Sequence, residues 1–242
     1  MRKQRGFTLI EIAIVLVIIG LLLGGVLKGQ ELINAARVRN VAAQLDGVKI
    51  AYLGFQDRYR QYPGDVTDAF AAANIPGAGA TGGGCGTAGT LGCNNGKIDP
   101  QENLVVWNNL SHSGFISGSY TGIMGTTAGT FVASTSANAP ANPFGGFLVL
   151  VNDQDYGDVT STTPASVLNV KTGGLMPVGM VAELDRKVDD GFPGTGSFRS
   201  AVTYGDGAAA NATCITGAVN GAAGMLYNAA VDIKSCGGVA VQ

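Results

Sequence analysis

Glu11 is the only charged residue in an otherwise uncharged run from Phe7 to Leu27, and its position demands a chemical reason. A carboxylate inside a membrane-spanning helix costs about 2.5–3.5 kcal/mol at the helix centre and less toward the end. A helix N-terminus favours an anion in its first turn, and a free α-amino group, with a pKa of about 7.7–8.0, supplies a full cation. Such an amine arises beside Glu11 only if the chain is cut shortly before it. The chemistry these residues suit is therefore proteolytic processing followed by charge neutralisation.

Cys85, Cys93, Cys214 and Cys236 stand 8, 121 and 22 positions apart with no C-x-x-C pair, a spacing that excludes a zinc ribbon or a thioredoxin-type site and reads as disulfides in an oxidising compartment. Three pairings are open, and proximity favours Cys85–Cys93 with Cys214–Cys236. Asp153, Asp155 and Asp158 concentrate hard oxygen donors suited to Ca2+, with solvated turns as the simpler reading. Asp185, Asp189 and Asp190 add carboxylates in a segment rich in turn residues. From Asn94 to Glu102, glycine, isoleucine and glutamate keep the offsets of the second half of an EF-hand loop, but Leu91 and Cys93 hold the slots where oxygen ligands should open it. No cofactor is expected apart from Ca2+ at these carboxylates. The sole histidine, His112, lies between two serines in no catalytic motif, and no P-loop occurs. The chain is not expected to be an enzyme.

The elements that must carry these residues are legible at the N-terminal side. Of 242 residues only 13% are charged and 38 are glycine, without the three-residue period of collagen. Arg2, Lys3 and Arg5 precede Gly6, and the 21 residues from Phe7 to Leu27 make a helix of roughly 31 Å, the thickness of a bilayer core. A secretory signal fits the basic start but not an apolar run longer than about 15 residues with no small-x-small site behind it. Gly20/Gly24 and Gly25/Gly29 form small-xxx-small pairs that let helix backbones approach closely. Val38, Val41, Leu45, Val48, Tyr52, Phe55, Tyr59 and Tyr62 then alternate spacings of three and four, one stripe of an amphipathic helix. Pro63-Gly64-Asp65 stops it, so the whole helix from Phe7 to Tyr62 would measure roughly 84 Å.

The order Arg5-Gly6-Phe7-Thr8-Leu9-Ile10-Glu11 resembles the processing site of type IV prepilins and type II secretion pseudopilins. The resemblance is specific over residues 1–40. It implies that a prepilin peptidase cuts between Gly6 and Phe7 and methylates Phe7, and that Glu11, fifth in the mature chain, pairs with the N-terminal amine of a neighbouring subunit during assembly. Many members carry a proline within the helix; here none precedes Pro63.

The resemblance further implies four parts: a leader at 1–6, a transmembrane or filament-core helix at 7–27, an amphipathic helix at 28–62 and a globular head at 63–242. The expected fold is α+β, the helix packed on an antiparallel sheet with disulfide-closed loops. The Cys214–Cys236 loop resembles the disulfide-bounded C-terminal region of many type IV pilins. Within the head, the uncharged segment 69–96, nine of whose last twenty residues are glycine, reads as a loop. Trp107 with Leu104, Val105, Val106 and Leu110 suits a short helix, and 144–151, 176–184 and 224–233 are strand candidates.

Function follows as an expectation: a structural subunit of a type IV pilus or pilus-like filament, contributing to adhesion, twitching or DNA uptake. The alternatives are a type II secretion pseudopilin and a membrane-anchored binding protein. Partners would be the prepilin peptidase, identical or related pilin subunits, the inner-membrane assembly machinery and the membrane itself. The chain would sit in the bacterial inner membrane with its head in the periplasm, then move into an extracellular pilus or a periplasmic pseudopilus. Loss of residues 1–6 leaves 12 basic against 17 acidic residues, a formal −5, so direct nucleic-acid binding is not expected. Lys171, Arg186, Lys187 and Arg199 are the head's candidates for any basic patch.

Overall fold

The computed structural model describes residues 9–206, 212–217, 221, 224–231 and 233–242. The chain divides into two units, residues 1–37 and residues 38–242. Helix α1 (Leu9–Tyr59) supplies residues to both. In the first unit its large apolar side chains are exposed, from Leu9 through Leu27 and on to Leu32 and Ile33. The helix is long and apolar enough to cross a membrane, which is where such a surface would find its burial.

In the second unit the expected stripe is the buried face. Val38, Val41, Leu45, Val48 and Phe55 are buried together with Ala51, while Tyr52 and Tyr59 are partly buried against the same core. The helix stops at Tyr59 rather than Tyr62, because Arg60 takes a left-handed conformation (φ 55°) and its N–H closes on the Gln56 carbonyl at 2.9 Å. Tyr62 still packs, its ring 6.2 Å from that of Tyr52.

The glycine-rich segment is less of a loop than expected. It contains α2 (Asp68–Asn74), whose N-cap Thr67 accepts the Phe70 N–H, and a 3₁₀ turn at Ala78–Thr81. Helix α3 (Val105–His112) forms around Trp107 as expected, and Val105, Val106, Trp107 and Leu110 are all fully buried.

Four strands make an antiparallel sheet in the order β1-β2-β6-β3: β1 (Val149–Asp153), β2 (Val167–Lys171), β3 (Phe198–Ser200) and β6 (Gly238–Val241). Val149 pairs with Lys171, Lys171 with Val239, and Phe198 with Ala240. β1 reads as a continuous apolar run because Val149, Leu150 and Val151 are buried whichever face they take. A separate pair joins β4 (Ile215–Thr216) to β5 (Leu226–Tyr227). The two expected disulfides are present, Cys85–Cys93 and Cys214–Cys236.

All three strand expectations are corrected. Within 176–184, Met176 makes only an isolated bridge to Cys236, and residues 178–184 belong to helix α4 (Val178–Val188), capped by Pro177 at φ −62°. Met176, Val178 and Met180 alternate like a strand, but the buried residues of the helix are Val178, Val181, Ala182, Leu184 and Asp185, which follow a helical spacing. The candidate 224–233 shrinks to the two residues of β5. The candidate 144–151 starts later, at Val149, after an isolated bridge between Ala141 and Phe147.

Candidate functional site

Glu11 lies in the first turn of α1 as described. Gly6 and Phe7, the expected processing residues, lie outside the described residues. Along the same helix, a Cβ placed on Gly20, Gly24, Gly25 or Gly29 would meet no atom within 4 Å. These positions leave the backbone open to close approach by another helix, as small residues do in membrane bundles. Lys28 and Glu31 form an exposed ion pair at 2.7 Å, beyond the last apolar residue of the run.

In the head, the acidic residues separate by what they face. Asp153 lies 2.5 Å from the ammonium of Lys171, and Asp155 lies 4.0 Å from it. Lys171 is fully buried, donates to the Thr203 carbonyl at 3.1 Å and sits 5.0 Å from the centre of the Phe131 ring. It is therefore part of the interior and offers nothing to a phosphate. Asp158 accepts the Thr160 hydroxyl at 2.6 Å and faces Arg199 at 3.2 Å, and these contacts hold its carboxyl below the usual range. The expected ligand set of Asp153, Asp155 and Asp158 is thus shared between two of the chain's own cations. Lys187 pairs with Glu183 at 2.5 Å.

Asp185, Asp189 and Asp190 fasten one another's neighbourhood. Asp185 accepts the Tyr227 hydroxyl at 2.7 Å and the Gly191 N–H at 3.1 Å. Burial raises its pKa to about 6 and pushes the Tyr227 phenol strongly up. Asp189 accepts the N–H groups of Ser197 and Phe198, and Asp190 that of Phe192. His112 places Nδ1 3.0 Å from the Asn108 carbonyl one turn back on α3, a helix-surface contact.

A different set converges in the interior. Asp65, on the connector after α1, accepts the N–H groups of Asn95 (3.0 Å) and Gly96 (2.7 Å). A carboxylate oxygen of Asp65 lies within 4.8 Å of one from Glu102, and both residues are buried. Burial pushes Glu102 up to about 8, aided by the charges of Asp65 and Asp99, and raises Asp65 as well. Cys85 is adjacent, but its sulfur is bonded to Cys93. Asp65 was not singled out from the sequence except as part of a helix stop. Its thirty-residue separation from Asn95 left no local pattern to detect.

Residues 1–27 match the family model described as the prokaryotic N-terminal methylation motif. No curated protein and no solved structure matches the chain.

Proposed function

We propose, from the premise that residues 1–27 carry the prepilin motif shared by type IV pilins and pseudopilins, that this chain is a structural subunit of a type IV pilus or pilus-like filament. The motif carries the reading, and the exposed apolar surface of α1 supports it. A prepilin peptidase cuts Gly6–Phe7, freeing the amine of Phe7, which is then methylated. Before assembly the helix lies across the inner membrane with the disulfide-bonded head in the periplasm. On assembly, helices leave lipid for one another, Gly20, Gly24, Gly25 and Gly29 permit close backbone contact, and Glu11 meets the new N-terminal cation of a neighbouring subunit.

The first experiment expresses the full chain with and without a prepilin peptidase and reads the N-terminus by intact mass. A product starting at methylated Phe7 is expected; an uncut Met1, or a cut elsewhere, removes the reading. The destination is read next from sheared surface filaments. Recovery of the mature chain there is the expected result. Its absence there, coupled with a block in protein secretion when the chain is deleted, assigns it instead to a type II secretion pseudopilus.

A further inference from the structure

Glu102 is fully buried, and its two carboxylate oxygens are unequally used. Oε2 accepts the Asp99 N–H at 2.8 Å, whereas Oε1, also buried, has no hydrogen-bond partner. Such an oxygen is unfavourable inside a protein unless something meets it. It belongs to the group in which a carboxylate oxygen of Asp65 and one of Glu102 stand within 4.8 Å. Two oxygens binding one Ca2+ at about 2.3–2.6 Å each lie no farther apart than about 5 Å. Among the described residues, neither Asp65, Asp99 nor Glu102 takes part in an ion pair.

The surrounding backbone already has the form of a cation loop. Gly96 turns at φ +83°, as the glycine at the sixth position of an EF-hand loop must. Ile98, Asp99 and Glu102 follow at the eighth, ninth and twelfth positions. Asp99 caps the 3₁₀ turn Pro100–Glu102, with Glu102 reaching back to its N–H, and α3 follows. The fault in the loop is its opening, where Leu91 and Cys93 supply no carboxylate. The fold repairs it from outside. Asp65 receives the N–H groups of Asn95 and Gly96, and Cys93 is bonded to Cys85, whose N–H donates to the Val66 carbonyl at 2.8 Å. The disulfide thus fastens the start of the loop to the residue next to Asp65.

We propose that Asp65 and Glu102 form the core of a Ca2+ site: a split EF-hand-like loop whose opening carboxylate comes from the connector after α1. Oxygen donors of this kind select a hard cation, and the adjacent Cys85 sulfur is locked in a disulfide with Cys93. The site is independent of N-terminal processing.

The test uses the full chain in detergent, stripped with chelator and titrated with Ca2+ by calorimetry, alongside thermal melting. One binding event is expected, with Kd no weaker than about 10⁻³ M, and a Tm raised by about 3–6 °C at ten times Kd. Glu102→Gln is expected to weaken binding at least tenfold, as is Asp65→Asn, while Asp158→Asn leaves it unchanged. Glu102→Gln keeps the side-chain shape and removes only charge, so it remains informative if Asp65→Asn fails to fold. Absence of binding by the unmodified chain at 10 mM Ca2+ (about ten times the weakest Kd of extracellular modules) overturns the proposal. Binding that survives Glu102→Gln, or that is lost in Asp158→Asn, overturns it as well.

Discussion

Asp185 is fully buried on α4, and the Tyr227 hydroxyl and Gly191 N–H that it accepts do not offset the loss of water around its charge. Its folded pKa of about 6 lies above the unfolded value of about 3.9, so folding favours the protonated form. The favourable contribution is complete below about pH 4 and fades as pH rises through about 6, leaving a penalty on the order of 2–3 kcal/mol above that. Asp189 and Asp190 act in the same direction. Asp185→Asn should therefore flatten the decline of Tm between pH 4 and 6.5; a variant that declines as steeply as the parent would assign that slope to other groups. Glu11 belongs to the opposite class, a carboxylate whose proposed partner comes from another subunit. Glu11→Val is expected to leave cleavage and methylation intact, read by mass, and to reduce filaments recovered by shearing. Normal filament yield from that variant would sink the charge-pairing role.

At the scale of elements, α1 separates glycines by what lies over them. A Cβ on Gly47 would meet nothing within 4 Å, whereas one on Gly54 would come 2.7 Å from the Phe115 ring. Gly47→Ala should stabilise the detergent-solubilised chain by about 0.5–1 kcal/mol through helix propensity, seen as a higher Tm. Gly54→Ala should lose that gain or reverse it, because the Phe115 ring also packs against Phe55. Equal gains at both sites would show that the ring moves aside freely. The buried face of α1 was legible because a long helix repeats one period many times, and Val38 to Phe55 keep it without interruption. The sheet was not. β3 has three residues, and β6 opens on Gly238, where the Phe198 ring leaves no room for a side chain, and has nothing larger than valine after it. Residues 176–184 misled because three alternating apolar residues precede the helical spacing. The Glu102 cluster was half visible in its loop offsets, and its other half, Asp65, becomes a neighbour only through the fold.

For the whole molecule, a chain with this little charge and this much glycine holds its loops by covalent closure. The Cys214–Cys236 bridge spans 22 positions and the Cys85–Cys93 bridge eight. In the chain-entropy picture the longer loop contributes on the order of 3 kcal/mol. Replacing Cys214 and Cys236 by alanine together should lower Tm by roughly 6–12 °C; an unchanged melting curve would show that the bridge only decorates a fold already closed by the sheet. Closure of this kind forms and persists under oxidising conditions.

Strand β6 runs between β2 and β3 yet is the latest of the four in sequence, beginning two residues after Cys236. Until that stretch has been synthesised, β2 and β3 have no common partner, and the head has only its helices and the β1–β2 and β4–β5 pairs. The long sequence separations involved make this a slow kind of closure. A copy of the chain cut short before β6 forfeits the middle of its sheet, and β3 is left with no strand to pair with.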